Sequence, residues 1–424
     1  MINKNNSSAS PHANPLDEVV VVRQPIFNRR KEVFAYELIF KSGFKDRFSK
    51  LTMREEKENE AIKAVDTMLI NGILRLTSGK RAVINFNRQM LLNKLPLIFP
   101  SDLLGVELVD ETNSSPEVTG DKKLALTVRK LKESGYLVVV NDLFYNNREL
   151  ALVKMADIVG VDFRSNGLNK RMSIFEDDLD RPRFLARSVE TPSDYDMAAN
   201  LGYQFFQGGF FCAVDMISVR SIPGYKINLM RILKEINKPT VEFEKIEQIL
   251  KKDVSITYKL LRFINSASFH FKTPVQSIRH ALALLGEQEV RKWLSLIVLS
   301  SVGTDKPQEL IMSTVVRAKF CESLAMELKL IKESSNFFLL GMFSMVDAFL
   351  GRPMEEILHD LPLDTQVKNA LLGVPNSLRA VLELVLDYEN ADWQNLDHKI
   401  KNMGLNAETM ADLYLDAVEW GKLF

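Results

Sequence analysis

The stretch VFAYELIFKSG, Val33 to Gly43, is an apolar strand interrupted by one carboxylate. Val33, Phe34, Ala35, Tyr36, Leu38, Ile39 and Phe40 all suit a barrel core, whereas Glu37 belongs there only if something binds it. The run before it, EVVVVRQP (18–25), follows too closely for an intervening helix, so the pair reads as a hairpin-like start. Further apolar runs recur along the chain: RAVINF, LLGVELV, YLVVVND, DIVGVDF, RFLAR and YQFFQG. Between most of them lie helical stretches such as REEKENEAIKAVDTMLINGILRLT, with Ala61, Val65, Met68, Leu69 and Ile73 on one face. Near-continuous apolar strands alternating with helices predict a parallel sheet covered on both sides. Eight such units predict a TIM-like α/β barrel with an irregular beginning.

After Pro223 and Gly224 the period changes. From about Tyr225 strands give way to amphipathic helices, broken at Pro239, Pro274, Gly286, Pro307, Pro353, Pro362 and Pro375. No fixed repeat is visible, which predicts a compact all-α domain. The expected division is a disordered tail over 1–17, a barrel over 18–217 and a helical domain with a C-terminal extension over 218–424.

A chain of 424 residues with 46% hydrophobic and 26% charged residues fits two ordinary globular domains. Lys plus Arg and Asp plus Glu are both 55, so no net field draws in nucleic acid or an anionic membrane. Cys212 and Cys321 are too few for a disulfide framework and fit a reducing cytoplasm. The polar start carries no signal peptide, and the apolar run WLSLIVLSSVG is too short to span a bilayer. The expectation is a cytoplasmic protein without nucleic-acid or membrane partners.

In a barrel of this kind, function sits where the strands end. The polar residues closing the apolar runs are Glu37, Asn85, Glu107 with Asp110, Asn141 with Asp142, Asp162, Arg187 with Glu190, and Gln207. Converging carboxylates and carboxamides suit a hard divalent cation, although each taken singly is explained by capping a strand or helix.

In this order the motifs resemble the EAL domain, the family of cyclic-di-GMP phosphodiesterases. YELIFK resembles the signature, placing Glu37 at the metal-binding glutamate and Lys41 near its arginine. INFNRQML resembles the strand of the metal-binding asparagine, Asn85. VELVDET resembles the next acidic strand, with Asp110 or Glu111 in register. NDLF stands where the family has its paired aspartates (Asn141, Asp142), DIVGVDF where it has the catalytic lysine (Gly160), and ARSVETP at its late glutamate motif (Arg187, Glu190). GYQFFQGGFF resembles the closing motif with Gln207. Lys41 and Gln207 are the implied nucleotide contacts.

The departures bear on the chemistry. The resemblance implies two Mg²⁺ or Mn²⁺ ions generating hydroxide. Here Asn141 is neutral, Gly160 has no side chain, and Arg187 is a permanent cation where a ligand should be. Replacing −1 by +1 changes the site by two charges, each unit being worth about 4 kcal/mol at ~4 Å and an effective dielectric of ~20. The expectation is that Glu37, Asn85, Asp110, Asn141, Asp142, Gly160, Arg187 and Glu190 are vestigial, that no metal cofactor binds, and that Arg187 pairs with Glu37 and Asp142.

The second half, from SITYKLLRFINSA to KWLSLIVLS and on through FFLLGMFSMVDAFLGRPMEEILHDLP, resembles the HDOD domain and its extension in fusions with degenerate EAL barrels. HDOD domains lack the metal-binding His and Asp set of related HD phosphohydrolases. His359-Asp360 lies in a helix-ending turn and His280 is expected to be packed. Phe269, His270 and Phe271 crowd a loop that is either a core anchor or an exposed patch. The implied function is a non-catalytic bacterial signalling adaptor, in motility or biofilm control, with an unidentified protein partner. Alternatives are a cyclic-di-GMP receptor that does not cleave and a weak phosphodiesterase.

Overall fold

The computed structural model describes residues 21–41, 72–109, 122–141, 150–164, 182–212, 232–238, 240–251, 254–265, 275, 277–303 and 306–422. Eight strands close into a barrel in sequence order: β1 (Val21–Asn28), β2 (Val33–Phe40), β3 (Arg81–Phe86), β4 (Leu104–Leu108), β5 (Leu137–Asn141), β6 (Ile158–Asp162), β7 (Arg183–Arg187) and β8 (Phe205–Phe206). β1 is antiparallel to both β2 and β8, while β2 to β8 run parallel, so the hairpin start holds. Its turn is fixed locally: the Asn28 side-chain oxygen accepts from the Arg30 and Glu32 amides, and Lys31 takes a left-handed φ of 59°.

Because side chains alternate across a strand, one set faces the barrel axis. Ile26, Ala35, Val83, Leu137, Val139, Ile158, Leu185 and Phe205 form one buried cluster inside the barrel. On the outside pack α1 (Arg88–Leu92), α2 (Lys122–Glu133), α3 (Leu150–Met155) and α4 (Pro192–Asn200), α2 burying Leu124, Val128 and Leu131. A helix over 72–77 follows β2 and buries Ile73. The other residues assigned to that helical face, the tail and the seam at Pro223 lie outside the described residues.

The remaining described chain is helical, beginning with a short helix over 232–236. There follow α5 (Phe243–Leu250), α6 (Val254–Ile264), α7 (Ile278–Val302), α8 (Gln308–Glu327), α9 (Ser334–Phe343), α10 (Val346–Leu350), α11 (Met354–Asp360), α12 (Thr365–Leu371), α13 (Ser377–Glu389), α14 (Trp393–Asn402) and α15 (Ala407–Gly421). The break expected at Gly286 is present: with a non-helical φ of 73° it sits at a kink between the two helical segments that α7 spans. Pro307 and Pro353 sit at the N-caps of α8 and α11. The LIVL segment of α7, Leu296 to Leu299, is core. His280 is a correction: it is exposed, because α7 turns Ile278, Ala281 and Leu282 inward and leaves residue 280 on the opposite face.

Helices of the second half dock on the barrel edge formed by the start of β1 and the end of β2. The Tyr388 hydroxyl of α13 donates to the Val21 carbonyl at 2.9 Å. Glu309 of α8 accepts from the Tyr36 hydroxyl at 2.6 Å and lies 3.7 Å from Arg23. No described helix is long and apolar enough to cross a membrane.

Candidate functional site: a guanidinium at the barrel mouth

The polar residues singled out in the sequence lie two positions beyond the apolar interior cluster. Ala35 is followed by Glu37, Val83 by Asn85, Val139 by Asn141, Ile158 by Gly160, Leu185 by Arg187 and Phe205 by Gln207. A period of two therefore stacks a polar layer on an apolar one at the parallel strands' C-terminal end. Strand register places Asn85 beside Glu107, Asn141 beside Gly160 and Asp162 beside Arg187.

Arg187 occupies the centre of that layer. Its Nη1 donates to Glu37 Oε2 at 3.1 Å, and its Nη2 to both Glu107 oxygens at 2.8 and 2.7 Å. Gln207 Nε2 donates to the same Glu37 oxygen at 2.7 Å. Both carboxylates are nearly inaccessible, at 5% and 3% side-chain exposure, while Arg187 keeps 24%. Burial pushes the Glu107 carboxyl up against the pull of Arg187, and the nearby charge of Glu37 adds to the rise. Burial works against the Arg187 guanidinium too, but Glu107 and Glu37 hold its pKa above the usual arginine value.

Gly160 makes the space. A Cβ built on it would lie 2.8 Å from Arg187 Nε and 3.6 Å from Cζ. The missing side chain on β6 and the long one on β7 thus occupy one volume. Among the described residues, Asn85 Oδ1 and Arg187 Nε are buried polar atoms of the layer with no hydrogen-bond partner.

Arg187 reaches Glu37 as the sequence suggested, but Glu107 is its second carboxylate; Asp110, Glu111 and Asp142 lie outside the described residues. Glu107 was readable from alternation, since it stands two residues after Gly105 as Glu37 does after Ala35. Glu190 is exposed, its backbone amide bonded to Asp194, and the Asp162 side chain accepts from the Arg164 amide. Lys41 does not point to an open mouth: its ammonium pairs with Asp397 of α14. His359 and Asp360 close α11, with the imidazole 90% exposed and Asp360 near Arg352. The loop of Phe269, His270 and Phe271 lies outside the described residues.

Between the polar layer and the helices lies a cavity of about 540 Å³, with Arg187, Gln207, Glu190, Glu309, Arg317 and Tyr414 among its walls. Arg317 is tied to Glu389 through Nε and Nη2 and to Ser344.

Residues 222–350 match the HDOD domain family. The chain is 30% identical over 415 residues to the cyclic di-GMP phosphodiesterase CdgJ of Vibrio cholerae serotype O1 (strain ATCC 39315 / El Tor Inaba N16961), covering 97% of this chain and 94% of that one. It is 31% identical over 411 residues to the uncharacterized protein YuxH of Bacillus subtilis (strain 168), covering 95% and 98%. Among solved structures it resembles an EAL domain protein from Listeria monocytogenes EGD-e, with 17% identity, 46% of this chain and 87% of that chain covered, and a TM-score of 0.34.

Proposed function

The chain belongs to the family of EAL–HDOD fusion proteins, and from that premise we propose that it is a non-catalytic signalling adaptor, its barrel retaining the architecture of a cyclic-di-GMP phosphodiesterase without the chemistry. The observation that carries this reading is the guanidinium of Arg187 seated on Glu37 and Glu107. Mg²⁺ and Mn²⁺ need several oxygen donors, at about 2.0–2.1 Å for Mg²⁺. Both carboxylates here are engaged by a fixed cation, and Asn85 Oδ1 is a buried oxygen without a partner among the described residues. A divalent ion brought onto these oxygens would stand beside a like charge, so this donor set does not fit a two-metal centre. What the chain's own residues do is close an internal network of one guanidinium, two carboxylates and a carboxamide, which fixes the mouth of the barrel.

A phosphodiesterase reading draws support from the name carried by the relative in Vibrio cholerae. A receptor reading would use Lys41 and Gln207, both of which have internal partners here. Calorimetry on the full chain with cyclic di-GMP, with and without Mn²⁺, separates the three. The adaptor reading expects no Mn²⁺ binding and no heat of hydrolysis. Metal-dependent turnover would contradict it, and metal-independent binding without turnover would establish a receptor.

A further inference from the structure

A second cavity, of about 910 Å³, takes its walls among the described residues from the helical half alone. Two helices open onto it by their N-terminal ends. The segment of α7 that restarts after Gly286 presents Gln288, and the first turn of α9 presents Ser335. The Ser335 hydroxyl donates to Gln288 Oε1 at 3.4 Å, so the two ends meet. Each helix N-terminus carries the equivalent of about half a positive charge, and two brought together favour an anion between them. A Cβ built on Gly286 would meet nothing within 4 Å, so the backbone at the break borders open space.

The acids on the walls do not supply that anion, because each is already engaged. Glu287 accepts from Arg291 at 2.6 Å, Glu289 from Lys292 at 2.9 Å, and Asp364 from the Gln366 amide at 2.7 Å. Lys332, on the same cavity, has no ion pair among the described residues. Asn237 adds an independent sign of a missing group. It lines the cavity and is only 3% exposed. Its Nδ2 donates to the Leu233 carbonyl at 2.9 Å, while its Oδ1 has no partner among the described residues. A buried acceptor without a donor is costly, and the cavity is where a donor can enter.

We propose that this cavity binds a small phosphate monoester. The phosphate sits between the two helix ends and Lys332, and an N–H or O–H group elsewhere on the molecule donates to Asn237 Oδ1. Phosphate is favoured over carboxylate because its three terminal oxygens can take donors from both helix ends and the ammonium together. The volume lies in the range of about 300–1,000 Å³ usual for small-molecule sites. The site belongs to the helical half and stands apart from the adaptor reading of the barrel.

The test is calorimetry on the full chain with inorganic phosphate, adenosine monophosphate and adenosine, the adenine amino group serving as the donor. Wild type should bind the monophosphate more tightly than either of the other two. Lys332→Glu, at an exposed position, should weaken both phosphate-bearing probes about ten-fold or more. Lys401→Glu, the same charge change at an exposed residue of α14, should weaken neither. Asn237→Leu should weaken the monophosphate about two- to ten-fold and leave inorganic phosphate unchanged. Lys332→Glu decides alone if the Asn237→Leu chain does not fold. No saturable binding of either phosphate probe by wild type, undiminished binding by Lys332→Glu, or an equal loss in Lys401→Glu would each overturn the proposal. So would adenosine binding as tightly as its monophosphate, or a folded Asn237→Leu chain that binds the monophosphate as wild type does.

Discussion

Gly160 and Arg187 share one volume across two neighbouring strands. Any Cβ at residue 160 meets Arg187 Nε at 2.8 Å, so Gly160→Ala should cost about 1–3 kcal/mol by overpacking. In an Arg187→Ala background the same change should cost almost nothing, and the coupling read from a double-mutant cycle of denaturant midpoints checks it. Arg187→Ala alone leaves Glu37 and Glu107 buried without their cation and should cost about 3–5 kcal/mol. Its pH dependence has a definite sign. Glu107 is raised from 4.5 to about 7, burial being the first cause, so between those values the folded chain binds a proton that the unfolded chain has released. Stability from this group therefore falls as pH rises from about 4.5 to about 7. Removing Arg187 should steepen that fall and Glu107→Gln should flatten it, measured as unfolding free energy at pH 5 against pH 8.

Among the elements, α8 and α9 show packing that no periodicity announces. A Cβ at Gly341 would lie 2.7 Å from both Ala318 Cα and the Arg317 carbonyl oxygen, backbone atoms with no rotamer to yield. Gly341→Ala should force the two helices apart and lower the urea midpoint by the equivalent of about 1–3 kcal/mol or more. A control at Gly373, where φ is +84° and a Cβ meets nothing within 4 Å, should show only backbone strain. The eight strands were legible because each is a short, near-continuous apolar run, and the antiparallel start because no residues were left for a helix. Glu37, Asn85, Gly160, Arg187 and Gln207 were legible through position and family resemblance. Glu107 was passed over as a partner in favour of residues further along, since a motif alignment does not say which side chain turns inward. His280 was misplaced because its neighbours at three and four residues' distance are themselves partly outward. The Lys41–Asp397, Arg23–Glu309 and Arg75–Glu419 pairs join residues more than 280 positions apart, a separation that local pattern cannot bridge.

At the scale of the molecule, equal totals of 55 acidic and 55 basic residues conceal a local asymmetry at the docked edge. The barrel carries the cations there and the helices the anions, so neutrality overall coexists with complementarity within the chain. The polar layer at the barrel mouth is filled from within by Arg187, and α8, α13 and α15 contribute walls to the cavity beside it. The most direct measurement is the rate of cyclic-di-GMP hydrolysis by the purified full chain in Mn²⁺. The account predicts none above background. Turnover at about 1 per second or faster, lost on Glu37→Gln, would contradict it.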